Sequence, residues 1–246
     1  MTTSPPHIGT LREKPLHASL TLWCAEQGDR FEVKIDRYVI DVVRDDLLIE
    51  IQTSGFSSMK KKLRRLLDEG YRVRIVHPIA VDKTIVRLDE DGQVLGRRRS
   101  PKHGTVLDVF AELVSFPDLV ADPGLEITLA LTVEDEYRKH DQKKAWRRKG
   151  WVVQERRLVE VTDSVHLTGV ADLVALLPPD LPEVFTTADI TAAAGCPRRV
   201  AQQMAYCLRG AGAMETAGKQ GNSIEYRLVT PLPPAAPAVL SPPDGD

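Results

Sequence analysis

Cysteine is scarce in this chain, and the residues present stand apart. Cys24, Cys196 and Cys207 are an odd number without short paired spacings. That argues against a disulfide framework and against a cysteine zinc site. No apolar run reaches the roughly 18 residues that a transmembrane helix needs. The N-terminus is polar and contains proline, without the apolar stretch of a secretion signal. An excess of charge is lacking too: 33 Lys and Arg stand against 35 Asp and Glu, a formal net charge of -2. Global charge therefore speaks neither for nor against nucleic acid, and local patches must decide. No internal repeat is visible. The expectation is a soluble protein of the reducing cytoplasm, with no membrane partner.

What is there is enough apolar material, 42% of 246 residues, for one large domain or two small ones. Residues 1–10 read as a flexible tail and 231–246 as a Pro-rich disordered tail. Leu11 to Cys24 is helical in pattern, with Pro15 in or near the first turn. "RFEVKIDRYVIDVVR" and "DLLIEIQT" read as successive strands joined at Asp45-Asp46. "SSMKKKLRRLLDEG" is a basic amphipathic helix with Met59, Leu63, Leu66 and Leu67 on one face and Gly70 at its end. "YRVRIVHPIA" is another strand, followed by a hairpin centred on Asp91-Gly92. Residues 104–116 suggest a helix, and two or three strands follow before Leu167.

The hairpin raises a question of charge. A two-residue turn at Asp45-Asp46 places Arg44 opposite Leu47, Val43 opposite Leu48, Val42 opposite Ile49, and Asp41 opposite Glu50. Gln52 shares the Glu50 face because strand side chains alternate. Like charges about 4.5–5.5 Å apart destabilise such a pair. A bound Mg²⁺ or Mn²⁺ reverses the sign of that interaction, since carboxylates are hard oxygen ligands. The alternative is an edge hairpin with a solvated polar face.

The order helix–strand–strand–strand–helix–strand, with Asp41 before the turn and Glu50-Ile51-Gln52 after it, resembles the PD-(D/E)XK nuclease superfamily. The resemblance covers roughly residues 11–80. It implies a mixed sheet flanked by helices, of restriction-endonuclease-like type. It implies Asp41 and Glu50 as metal ligands, Gln52 at the position of the usual lysine, and Glu13 as the first-helix acid. Glu13 fits a capping box with Thr10 equally well. His17 lies one turn further on. The departure is Gln52, which hydrogen-bonds but brings no positive charge. A lysine recruited from Lys60, Lys61 or Lys62 is one answer; loss of catalysis in a fold retained for binding is another.

From Leu167 onward the order is helix, helix, helix and two strands, the layout of a winged helix-turn-helix. Thr187 reads as the cap of the second helix and Pro197 as the first position of the third. Val200, Met204, Cys207, Leu208 and Ala211 form the apolar stripe of that third helix. Arg198, Arg199, Gln202, Gln203, Tyr206 and Arg209 are placed opposite, types suited to phosphates and base edges. Lys219 falls in a "GKQGN" wing loop. A winged helix that contacts protein is the competing reading. "KKAWRRKGW" and "GRRRSPKHG" read as basic loops.

The sequence thus predicts an α/β (α+β) protein. Its divisions are a nuclease-like domain at 11–100, a middle α/β extension at 101–165 and a winged-helix domain at 166–230. The expected activity is Mg²⁺- or Mn²⁺-dependent hydrolysis of DNA, with Lys60, Arg64 and Arg65 tracking the phosphate backbone. The alternative is a non-catalytic DNA-binding regulator or interaction protein of the same fold. DNA is the expected partner, with a homodimer as a further possibility.

Overall fold

A three-strand meander opens the sheet. In the computed structural model, which describes residues 14–141 and 150–229, β1 (Arg30–Ile35), β2 (Tyr38–Arg44) and β3 (Leu47–Ile51) pair antiparallel. Their turns are tight because Asp36 and Asp45 take left-handed backbone (φ 51° and 49°), a conformation that Asp tolerates better than most residues. The hairpin register is the expected one from Arg44↔Leu47 to Val42↔Ile49. Glu13, both terminal tails and the Lys143–Lys149 stretch lie outside the described residues.

α1 (Pro15–Trp23) precedes the meander and lays Leu16 and Leu20 on Val42, Leu47, Ile49 and Ile51. After β3, a short 3-10 turn at Phe56–Ser58 leads into α2 (Lys60–Asp68). Met59, Leu63, Leu66 and Leu67 are buried, as their spacing requires, and Gly70 (φ 81°) ends the element. Burying each leucine contributes about 1.5–3 kcal/mol. β4 (Arg72–Leu88) then returns parallel to β3. Helix–meander–helix–parallel strand is therefore the observed order. The protein is mixed α/β, with a mixed sheet flanked by helices.

The rest of the sheet corrects the sequence reading. β4 is one 17-residue strand, not a short strand plus a separate hairpin arm. It pairs with β3 up to Val76 and with β5 (Val94–Arg99) from Thr84, so one of its sides has no strand between. Pro78 falls in that gap, where a missing N–H is tolerated. β6 (Leu125–His140) runs parallel to β4, and β7 (Trp151–Leu167) antiparallel to β6. Within residues 101–165, β6 and all but the end of β7 are accordingly strands of the same sheet. Half of "GRRRSPKHG" is strand β5, with Arg97 and Arg99 paired to Asp135 and Asp82. Trp151 opens β7, beside His140 and under Arg87.

The second face of the sheet carries α2, α3 (Val109–Leu113) and the C-terminal elements around one core. Those elements are α4 (Val170–Val174), α5 (Thr187–Ala194), α6 (Arg198–Gly210), β8 (Met214–Gln220) and β9 (Ser223–Leu228). α5 is capped by Thr186, not Thr187: the Thr186 hydroxyl accepts the Ala188 and Asp189 amides, and Asp189 accepts the Thr186 amide. Pro197 is the N-cap of α6, one position earlier than expected. Gly221 (φ 57°) and Asn222 alone make the β8–β9 turn, so Gly218, Lys219 and Gln220 are strand residues and no five-residue wing loop exists. Cys207 donates to the Phe110 carbonyl at 3.7 Å, and Gly210 is so close to Pro117 that a Cβ would stand 2.5 Å away. No helix among the described residues is long and apolar enough to cross a membrane.

Glu134, with no exposed side-chain surface, is the most deeply buried charge in this sheet region. Arg156 grips both its oxygens (2.6 and 2.7 Å), and Thr132 donates to it as well. Removing one partner of such a pair strands the other without compensation. Arg156→Ala is expected to lower the unfolding free energy by about 3 kcal/mol, read from urea unfolding; a loss within experimental error would show the pair to be dispensable.

Candidate active site

The carboxyl end of β3 opens into a cleft of about 510 Å³ between α1 and α2. Its walls include Asp41, Glu50, Gln52, Thr53, His17, Glu32 and Lys62. Crevices outside the carboxyl ends of parallel strands are where open α/β sheets commonly bind ligands.

Asp41 does not face Glu50 across a continuous ladder, as the register predicts. The regular pairing stops at Val42↔Ile49, and the Asp41 carboxylate takes the next amide itself, accepting the Ile51 N–H at 2.7 Å. The same oxygen accepts from His17 Nε2 at 3.2 Å. On the other side of β2 the ladder also skips one step: Phe31↔Val42 and Val33↔Ile40 are paired, and Glu32 between them takes left-handed backbone (φ 50°). Such a conformation costs a non-glycine residue of order 1–3 kcal/mol. Glu32 was missed by sequence reading, because the Phe31, Val33, Ile35 alternation hides the break.

Glu50 is 11% exposed in its side chain, and its Oε1 is sealed from solvent without a well-aligned hydrogen bond. The Lys62 ammonium stands 2.5 Å from that oxygen as an ion pair and donates to the Val39 carbonyl at 2.7 Å. Burial, opposed by Lys62 and reinforced by Asp41, pushes the Glu50 carboxyl up to about 7. Lys62 is thus the lysine that α2 brings into the cleft. Only the position of three consecutive lysines hinted at it.

Gln52 occupies the cleft but is committed to its own loop. Its Nε2 donates to the Gly55 carbonyl at 2.9 Å and lies near the Ser54 and Ser58 hydroxyls. The loop is clamped elsewhere too. His77 Nδ1 donates to the Gln52 carbonyl (2.6 Å), Arg156 to the Thr53 carbonyl (3.0 Å), and the Phe56 amide to Glu112 (3.0 Å). Burial lowers the His77 pKa, which favours the neutral ring.

Among the described residues, no group of three or more His, Cys, Asp or Glu side chains converges as a metal site. Asp41 and Glu50 are a pair, and Glu13 lies outside the described residues. The pair still suits Mg²⁺ or Mn²⁺: such ions bind through one or two carboxylates and keep several waters. The buried Glu50 Oε1 already faces one cation, the Lys62 ammonium, so it is an oxygen that a metal ion could take in exchange.

The expected DNA contacts divide. Arg64 is closed onto Asp118, and Arg65 onto Asp36 and Glu69 (3.2 and 2.9 Å), so their charges are already paired on the protein. Lys60 is half-buried at the start of α2. Arg198, Arg199, Gln202, Tyr206 and Arg209 form the exposed face of α6, and among the described residues these three arginines make no ion pair. Gln203 is not on that face. It is half-buried with its Oε1 sealed and without a partner. Its spacing, three residues after Val200 and four before Cys207, places it at the border of the apolar stripe. Lys219 is exposed on β8.

A family model described as a domain of unknown function (DUF8091) matches residues 14–168. The chain belongs to this family. The DUF8091 match opens one residue before α1 and closes one after β7, so it contains every residue of the cleft. An uncharacterized protein of Treponema pallidum (strain Nichols) is 30% identical over 241 residues, 97% of this chain and 94% of that relative. That similarity continues through the C-terminal elements, beyond the family match. No solved structure matches.

The Glu50 carboxyl gives a pH test. In the unfolded chain a Glu titrates near about 4.3. A raised folded value means that the folded form holds the proton more tightly. The stability Glu50 contributes is full below the unfolded value and is lost as pH rises through about 7. Glu50→Gln is expected to remove this component, so wild-type stability should fall relative to the variant between about pH 4.5 and 7. Urea unfolding across that range measures it, and identical slopes would exclude the buried titration.

Proposed function

We propose that the cleft hydrolyses DNA phosphodiesters with Mg²⁺ or Mn²⁺, in a nuclease-like domain of PD-(D/E)XK type, and that the C-terminal elements act as a winged helix that grips the DNA. The observation that carries this reading is one cleft holding Asp41, Glu50 and Lys62, with the Glu50 Oε1 buried against the Lys62 ammonium at 2.5 Å. Asp41 and Glu50 would hold the ion, which when bound supplies an activated water and charge stabilisation on the phosphate. Asp41 is fixed for this by the Ile51 amide and His17. Lys62 supplies the positive charge that Gln52 lacks. Gln52, His77 and Arg156 hold the cleft wall in place through the loop carbonyls. The arginines of α6, without an ion pair among the described residues, offer charge to a phosphate backbone, and Gln202 and Tyr206 lie between them for base edges.

A second reading, a DNA-binding regulator without catalysis, is favoured by one fact: the residue two after Glu50 is a Gln whose amide is tied to Gly55. Nuclease assays on duplex, branched and single-stranded DNA with Mg²⁺ or Mn²⁺ separate the two. Wild type is expected to cleave at least about a hundredfold faster than Asp41→Asn, which keeps an acceptor for Ile51. Equal background in both would leave the regulator. Arg198→Ala/Arg199→Ala is expected to weaken duplex binding and to reduce the salt slope of log K by about 2. Unchanged binding would remove α6 from the DNA interface and return it to protein contacts.

A further inference from the structure

Lys62 is held in a way that its neighbours are not. Lys61 is exposed and Lys60 half-buried, whereas the Lys62 side chain is only 18% exposed. Ordering a lysine side chain costs up to about 2 kcal/mol of rotamer entropy. Three contacts offset it: Glu50 Oε1 at 2.5 Å, the Val39 carbonyl at 2.7 Å, and the Tyr38 ring with its centroid 5.8 Å away. The ammonium stands against the same sealed carboxylate oxygen that a divalent cation would take. A monovalent and a divalent charge a few Å apart repel strongly in a partly buried site. Both cannot occupy Glu50 Oε1.

We propose that Lys62 is an internal counter-ion for Glu50, which a divalent cation must displace in order to bind. This rests on the metal-dependent reading of the cleft and adds its regulation: the lysine sets the cation concentration at which the site loads. At low cation the pair Lys62–Glu50 keeps the buried carboxylate compensated. At high cation the ion replaces it and the ammonium leaves the oxygen.

The displacement has a direct readout. Brief lysine acetylation of the full chain, quantified by mass spectrometry, is carried out with and without Mg²⁺. Lys60 and Lys61 serve as internal standards. Lys62 is expected to be slow without the ion and several-fold faster with it, relative to those two. In parallel, Mn²⁺ binding is followed by electron paramagnetic resonance at about pH 8.5, where the carboxylates are ionised. Lys62→Met is expected to bind Mn²⁺ roughly tenfold tighter or more, and Lys62→Arg, which keeps the charge, to stay near wild type. Circular dichroism confirms that each variant folds. If Mn²⁺ binds in an Asp41-dependent way but Lys62 reactivity is unchanged, or Lys62→Met gains no affinity, the counter-ion role is overturned and the metal reading stands. Should neither wild type nor Lys62→Met bind Mn²⁺, both fall together. Binding by Lys62→Met alone supports the counter-ion in its strongest form.

Discussion

The Asp41 carboxylate is where the sheet stops being a sheet. It replaces a main-chain partner for the Ile51 amide, and the ladders on both sides of β2 break at its level. A backbone amide in a partly buried place must be satisfied, and a side-chain oxygen does so without a closed ladder. The gap this leaves is the cleft. Glu32 takes left-handed backbone within β1, His17 reaches down from α1, and Glu50, paired to Ile75 of β4 on one side, has no ladder partner on the β2 side. Replacing Asp41 therefore touches architecture and chemistry at once.

Local pattern carried the sequence reading as far as local pattern reaches. The hairpin register follows from the length of the Asp45-Asp46 turn, and the α2 stripe from its spacing, because both depend on residues close in sequence. The carboxylate pair was legible for the same reason. The length of β4 was hidden by Pro78, whose tolerance depends on a one-sided gap that only the assembled sheet creates. Which of Lys60, Lys61 and Lys62 meets Glu50, and that Arg156 holds Thr53, were not legible, since long side chains find their partners after the elements pack. The tie of Gln52 to Gly55 was not legible, because a residue's position relative to Glu50 says nothing about a loop that folds back to take its amide. Gln203 failed at the border of an apolar stripe, where one helical step decides between outside and inside.

The C-terminal elements are less separate than their order in the chain suggests. The apolar face of α6 closes over α3, with Cys207 on the Phe110 carbonyl and Gly210 against Pro117. Phe110, Leu113 and Phe116 belong to the same core as Met204 and Leu208. The DUF8091 region and the helices after β7 are thus joined by packing rather than by a linker, and the orientation of α6 relative to the sheet is fixed by that contact.

The clamp on Thr53 has a consequence for the order of synthesis. Arg156 comes 103 residues after the carbonyl it holds. Domains fold as the chain emerges, N-terminal parts first. The carboxylates of the cleft leave the ribosome early, but the wall beside them is completed only when β7 arrives and lays Arg156 across the sheet. A nascent chain that has made β3 and α2 therefore carries the acidic residues beside a loop that lacks its Arg156 tether. Maturation of the cleft waits on a strand that contributes no side chain to its lining.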